Sequence, residues 1–188
     1  MSIDERLIFF KGKHVVLKVL SEQDILESNW VGWFNDDELS VYNLHHYFPN
    51  TYANQREHLK DCVSPSKLQL GIVDQSKSDN ICGLVSLSNI DLIHRNAEIA
   101  GIMDLKYSKT NPALFIESWS IMIKHGFEEL GLHKIYGGSF HPQVVEALIR
   151  LFNFEREGVQ KSHVYKRNAY HDIELIAVFN DTISYPEL

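Results

Sequence analysis

The stretch from Cys82 to Phe179 is the part of the sequence that best indicates the order of the secondary-structure elements. This stretch begins GLVSLSNIDLIHRNAEIAGIM (residues 83–103), continues NPALFIESWSIMIKHGFEELGLHKIYG (111–137) and ends HDIELIAVF (171–179). Its first part is rich in strand-forming residues on either side of a polar turn at 91–96, which predicts strands at 81–90 and 97–105. Its last part is a nearly continuous apolar run, which is typical of a strand covered on both faces. Strands and helices are therefore expected to share one mixed sheet.

The best-defined helix of the chain follows Asn111 and Pro112. Asparagine is a favoured N-cap residue, and proline suits the first helical position. One apolar stripe at helical spacing then contains Phe115, Ile116, Trp119, Met122, Ile123, Gly126, Phe127 and Leu130. Gly131 predicts the end of this helix. A strand at 133–137 and a second helix, striped by Val144, Val145, Leu148, Leu151 and Phe152, come next.

The N-terminal half predicts further strands and helices of the same domain. Strands are expected at 14–20 and 68–74, and a helix capped by Ser21 is expected to contain Ile25, Leu26, Trp30 and Trp33. An aromatic, histidine-rich loop at 41–51 and a short helix at 54–63 complete this half. The prediction is a single α/β domain over 1–188, with a core of about 13–180 and a mixed central sheet flanked by helices.

Composition excludes several classes of protein. Of the 188 residues, 44% are hydrophobic and 23% are charged, which excludes a disordered chain. The formal net charge of -7 argues against a nucleic-acid partner. Two cysteines and ten histidines without HxxxH or HxH spacing indicate neither a disulfide scaffold nor a metal site. The N-terminus resembles neither a signal peptide nor a membrane span, so we expect a cytoplasmic protein without membrane partner, either a monomer or a homodimer.

Four segments together carry a family resemblance. They are VVLKVLSEQDILESNW (15–30), the hairpin 83–103, HGFEELGLHKIY (125–136) and FEREGVQKSHVYKRNAYHDIELIAVF (154–179). Their order and spacing resemble the GCN5-related N-acetyltransferase (GNAT) superfamily, in the branch of ribosomal-protein N-terminal and amino-sugar acetyltransferases. The resemblance implies a GNAT-like fold and transfer of an acetyl group from acetyl-CoA to an amine. It implies no metal.

The chain departs from the family in the loop that holds the cofactor's pyrophosphate. The family's loop usually reads Q/R-x-x-G-x-G/A, whereas this chain has Ala113 and Phe115 at the two glycine-type positions. Glycines let a backbone approach a phosphate closely. What remains is a helix N-terminus, where Asn111 and the amides of Ala113, Leu114 and Phe115 are expected to bind the anion. The central strand of the family supplies amides to the thioester carbonyl, which here implies Ile102, Met103 and Leu105 as further cofactor-binding residues.

Two residues are candidates for the base that deprotonates the amine. Glu98 lies on the strand that resembles the family's catalytic strand, although a rim carboxylate or an ion-pair partner has the same sequence signature. His141 stands near the start of the last helix, and an imidazole exchanges protons near neutral pH. A histidine bonded to the helix backbone is the alternative there. The last helix also has Ile149 where the family often places a tyrosine acid.

The resemblance favours an amino sugar or a sugar nucleotide as the small-molecule amine substrate. The cations available to bind the diphosphate of a sugar nucleotide are Arg95, Lys106, Lys109, Lys166 and Arg167. The aromatic loop 45–48 is expected to line the acceptor pocket. Two alternatives stay open: an acetyltransferase for protein N-termini or peptides, and a non-catalytic acyl-CoA-binding domain.

Overall fold

The computed structural model describes residues 4–44, 46–77 and 80–187. Its strands are β1 (Ile8–Lys11), β2 (Val15–Val19), β3 (Val63–Ser64), β4 (Lys67–Asp74), β5 (Ile81–Asp91), β6 (Asn96–Met103), β7 (Lys134–Ser139), β8 (Glu155–Lys166) and β9 (Ala169–Phe179). Its helices are α1 (Glu22–Glu27), α2 (Trp30–Trp33), α3 (Tyr52–Lys60), α4 (Leu105–Thr110), α5 (Ala113–Glu128) and α6 (Pro142–Phe152). Short 3-10 turns occur at Glu5–Leu7 and Leu39–Tyr42.

All described strands join one mixed sheet, as the sequence predicts. The strand order is β1-β2-β4-β5-β6-β7-β9-β8, and the short β3 pairs with β4. Adjacent strands are antiparallel except β6 and β7, which run parallel. The connection between these two strands contains α4 and α5, because parallel neighbours need a long crossover.

The two faces of the sheet bury two separate apolar clusters. The larger cluster packs α5 and α6 against one face, with Ala97, Ile99 and Trp119 among its members. The smaller cluster packs the helices α1 and α2 against β2, β4 and β5 on the opposite face, where Trp30 and Trp33 are almost fully buried. The second face is therefore covered over only part of the sheet, and Ala100 of β6 is exposed there.

The boundaries of α5 agree closely with its sequence signals. The helix begins at Ala113, with Pro112 in the N-cap position, one residue later than predicted. Gly131 adopts a left-handed φ of 63°, and the amide of Leu132 donates to the carbonyl of Gly126 at 2.9 Å. This arrangement closes the helix as glycine caps commonly do.

Three features differ from the sequence predictions. β6 ends at Met103 rather than at 105, because Asp104 caps α4 by accepting from the amide of Lys106 at 2.9 Å. The helix after Ser21 is broken into α1 and α2, because the Ser28 hydroxyl donates to the Asp24 carbonyl and accepts from the Trp30 amide. The strands β1 and β3 and the helix α4 have no predicted counterpart.

Candidate functional site

The parallel strands β6 and β7 separate soon after they begin to pair. Their register runs from Asn96 opposite Lys134 to Glu98 opposite Tyr136 and stops there. Beyond that point β6 pairs only with β5, and β7 only with β9, among the described residues. The result is a wedge-shaped opening between 99–103 of β6 and 137–139 of β7, which we call the cleft.

The backbone amides of Gly101 and Met103 face this cleft. The amide of Asp104 donates to the carbonyl of Cys82 at 2.9 Å, so Asp104 faces β5. Successive residues of a strand direct their amides to opposite edges, which turns Ile102 toward β5 and its neighbours toward the cleft. Ile102 is indeed registered opposite Leu84.

Three amides of this region were predicted from the sequence to bind the cofactor, and in the structure they lie in three different environments. Met103 lies at the cleft, Ile102 faces the neighbouring strand, and Leu105 is the first residue of α4. Gly101 was missed. The directions of the backbone amides alternate along β6, and which amides face the cleft can be predicted only when the pairing with β5 is known.

The first turns of α5 lie over β6 at the cleft. A β-carbon at Gly101 would stand 2.7 Å from Nε1 of Trp119 and 3.4 Å from the ring of Phe115. The two aromatic rings pack on each other with their centroids 5.0 Å apart. Glycine at position 101 therefore lets an aromatic pair approach the strand closely. The N-terminus of α5 is consequently near the cleft.

The amides of the first turn of α5 differ in their bonding. The amide of Leu114 donates to the Asn111 carbonyl at 3.3 Å, and Ile116 donates to Pro112 at 3.2 Å. No backbone acceptor is recorded for Ala113 or Phe115 within the described residues. Of the predicted anion-binding amides, these two are available to a ligand. Asn111 closes α4 by donating its own amide to Tyr107.

Glu98 lies at the vertex of the cleft, on the face opposite α5. Its neighbours Ala97 and Ile99 are buried under α5 and α6, so the alternation of the strand turns Glu98 to the incompletely covered face. Asn89 donates to Oε2 of Glu98 at 2.9 Å from an irregular part of β5, where Asn89 adopts a φ of 50°. This bond orients the carboxylate of Glu98.

Tyr136 stands beside Glu98 on β7. Burial, and to a smaller extent the charge of Glu98, raises the pKa of this phenol above its ordinary value. Tyr136 also borders a cavity of about 390 Å³ whose wall includes Glu157 and Gln160 of β8.

His141 lies at the other end of β7. It is the N-cap residue of α6, and its amide donates to Oγ of Ser139 at 3.0 Å. Burial lowers the pKa of the imidazole below 6.5, so the ring is neutral at physiological pH. From Tyr136 to Ser139 the strand advances by roughly 10 Å. Glu98 thus lies where β6 and β7 still pair, whereas His141 follows the far end of β7.

The tip of the β8–β9 hairpin docks on the loop that follows α2. Lys166 donates to the carbonyl of Asn43 at 2.6 Å, and the Tyr47 hydroxyl donates to the carbonyl of Tyr165 at 3.0 Å. Because α2 covers β4 and β5 while β8 is the far edge of the sheet, this contact spans the exposed face over β6 and β7. Tyr47 belongs to the aromatic loop predicted to line the acceptor pocket, and His45 of that loop lies outside the described residues.

Most of the cations assigned to a nucleotide diphosphate are engaged elsewhere. Lys109 contacts Glu38 at 2.7 Å, and Arg167 contacts Asp37 at 2.9 Å. Nε of Arg95 donates to the carbonyl of Gly131, next to the start of β6 and far from the open end of the cleft. Within the part of the chain that the structure describes, no cluster of three or more His, Cys, Asp or Glu could hold a metal ion. No helix in the same residues is long and apolar enough to cross a membrane.

Known proteins resemble this chain in structure. No protein-family model matches the sequence, and no curated protein matches it. A spermidine N-acetyltransferase from Vibrio cholerae, solved with CoA and spermine, superposes with a TM-score of 0.79 at 20% identity, covering 91% of this chain and 98% of that one. The ribosomal-protein-S5-alanine acetyltransferase from Vibrio fischeri gives 0.77 at 20% identity, with 92% and 96% covered. These similarities confirm the GNAT-like fold.

Proposed function

We propose that this chain is an acetyl-CoA-dependent N-acetyltransferase that acts on a primary amine. The observation that carries the proposal is the cleft between β6 and β7, where the amides of Gly101 and Met103 and the first turn of α5 converge. That both similar structures named above are acetyltransferases, one of them solved with CoA, supports the proposal.

The cleft suits the two polar parts of an acyl-CoA. At the N-terminus of α5, the amides of Ala113 and Phe115 are available to the pyrophosphate, and the helix dipole favours its charge. Along β6, the amides of Gly101 and Met103 are placed to donate to carbonyl oxygens of the thioester arm. Donors fixed by a strand stabilise the negative charge that develops on a carbonyl under attack.

Glu98 is the base in this proposal. An amine acceptor is mostly protonated at neutral pH, since an α-amino group has a pKa of about 7.7 to 8.0 and a lysine-type amine one of about 10.4, so it must lose a proton before it attacks. Glu98 accepts that proton, directly or through a water molecule, while Asn89 holds the carboxylate in place. A thiol is far more acidic than an alcohol, so CoA leaves readily as the thiolate, and Ile149 in place of a tyrosine acid is compatible with turnover.

The acceptor that we propose is a small amine without a diphosphate, such as an amino sugar. Lys109 and Arg167, two of the cations assigned to a diphosphate, form exposed ion pairs with Glu38 and Asp37. The carboxylate of Glu98 on the acceptor side suits a protonated amine. A peptide N-terminus is the second candidate, because one similar structure acetylates a protein.

The proposal predicts micromolar binding of acetyl-CoA. The purified protein is titrated with acetyl-CoA and with CoA in a calorimeter, and thiol release is then followed with amino sugars, polyamines and short peptides. Binding followed by turnover of an amine is the expected result. No heat at millimolar acetyl-CoA would remove the proposal. Binding without turnover of any amine would favour a non-catalytic acyl-CoA-binding domain instead.

The pH dependence of the reaction distinguishes the two candidate bases. If His141 took the proton, kcat/KM would fall as the pH is lowered through the pKa of His141, which burial holds below 6.5. We expect the acidic limb of the profile to persist in His141→Ala, because Glu98 lies at the vertex of the cleft and His141 does not. Disappearance of that limb in His141→Ala, with its retention in Glu98→Gln, would make His141 the base.

A further inference from the structure

We propose that Trp119 binds the ligand of the cleft, by donating its indole Nε1–H to a carbonyl oxygen of the acyl-CoA thioester arm. The inference rests on the proposed function and adds a donor to it. The amides of β6 are backbone groups that any residue supplies, whereas this donor is a side chain particular to this sequence.

The position of Trp119 places its donor at the cleft. The residue is 4% exposed, and Nε1 is the atom nearest to a β-carbon built on Gly101, at 2.7 Å. Gly101 is one of the two residues whose amides face the cleft. A carbonyl oxygen held by the Gly101 amide has a second lone pair, and this lone pair is the acceptor that the proposal assigns to the indole packed on Gly101.

The bonding state of the indole indicates a missing acceptor. Nε1 of Trp119 is buried and has no hydrogen-bond partner within the described residues. An indole N–H is a donor only, and a buried donor without a partner destabilises the fold. A phenylalanine at 119 would fill most of the same space and stack on Phe115 without that cost. An acceptor that arrives with the ligand accounts for the tryptophan.

A second tryptophan provides a matched control. Nε1 of Trp30 is also buried without a partner among the described residues, and Trp30 is fully buried. Trp30 belongs to the cluster on the opposite face, where it packs edge-on against His58. Replacing either residue by phenylalanine removes one buried indole N–H, but only Trp119 lies at the cleft.

The test compares acetyl-CoA and CoA binding to the wild type, Trp119→Phe and Trp30→Phe by calorimetry. We expect Trp119→Phe to bind acetyl-CoA about 3- to 10-fold more weakly, the loss of one hydrogen bond, and Trp30→Phe to bind as the wild type does. A loss for acetyl-CoA alone assigns the bond to the thioester carbonyl. An equal loss for CoA assigns it to an amide carbonyl of the pantetheine arm.

Fluorescence supplies a second readout that a packing role would not produce. Ligand is expected to change the tryptophan emission of Trp30→Phe, which retains Trp119, more than that of Trp119→Phe, which retains Trp30 and Trp33. Unchanged affinity of Trp119→Phe for both ligands, together with a retained emission change, would overturn the inference and leave the proposed function standing. If the wild type binds neither ligand, both fail together, so the two failures are distinguishable.

Discussion

Replacing Glu98 by glutamine is expected to lower kcat at neutral pH by roughly 100-fold or more, which is the usual size of a general-base effect. Glutamine keeps the shape of the side chain and can still bond to Asn89, but it cannot accept the proton of an ammonium group. Steady-state rates of thiol release, measured with the best amine found in the acceptor screen, check this expectation. Binding of acetyl-CoA is expected to remain unchanged, because Glu98 lies on the face opposite α5.

A matched carboxylate shows whether the effect belongs to the site. Glu155 is exposed on β8, and Glu155→Gln removes the same charge from the same sheet away from the cleft. This variant should retain nearly the full rate. A loss of less than about 10-fold in Glu98→Gln would reject Glu98 as the base, because general-base contributions start near 100-fold.

Replacing Glu117 by alanine is expected to lower the free energy of unfolding by roughly 3 kcal/mol or more. Glu117 is 6% exposed on α5, and its carboxylate accepts three backbone amides from the turn before β2. The donors are Lys13 at 2.5 Å, His14 at 2.8 Å and Val15 at 3.1 Å. Alanine would leave these amides without their charged acceptor in a site that water reaches poorly. The packing of α5 on β2 would weaken with them.

Urea unfolding followed by circular dichroism measures this loss. Glu128→Ala is the control, since Glu128 is exposed on the same helix and forms a long ion pair with Lys124 at 3.8 Å. The control should change stability by no more than about 0.5 kcal/mol. If the two variants were equally stable, the carboxylate of Glu117 would not hold the turn, and the contact of α5 with β2 would depend on apolar packing alone.

Elements with local signals were predictable from the sequence. α5 has a proline at its start, a glycine after its end and an apolar stripe between them, and its observed bounds differ from the predicted ones by one or two residues. The strands 68–74 and 81–90 were predicted closely as well. In each case the deciding residues lie within a few positions of one another, so a short window of sequence contains the information.

Elements that depend on competition between two local structures were not predicted. The alternation of Met103, Asp104 and Leu105 favoured a longer strand. In the structure, Asp104 instead caps the helix α4 with one carboxylate oxygen. Its other carboxylate oxygen accepts a hydrogen bond from the indole of Trp33 at 2.9 Å. That bond joins positions distant in sequence. A single helix after Ser21 was also predicted wrongly. Ser28 breaks this helix through the two bonds of its hydroxyl group, and these bonds cannot be read from the residue type alone.

By itself, the sequence determined the α/β class, the order of most strands and helices, the resemblance to the GNAT superfamily, and Glu98 as a candidate base. Only the tertiary structure decided where β6 and β7 separate. The pairing of β6 with β5 decided that the amides of Gly101 and Met103, rather than that of Ile102, face the cleft. It also decided that Trp119 lies over Gly101 and that Lys109 and Arg167 are paired with acidic residues. The physical reason is that register and side-chain pairing are set by contacts between residues far apart in sequence, whereas periodicity, capping and turns are set by near neighbours.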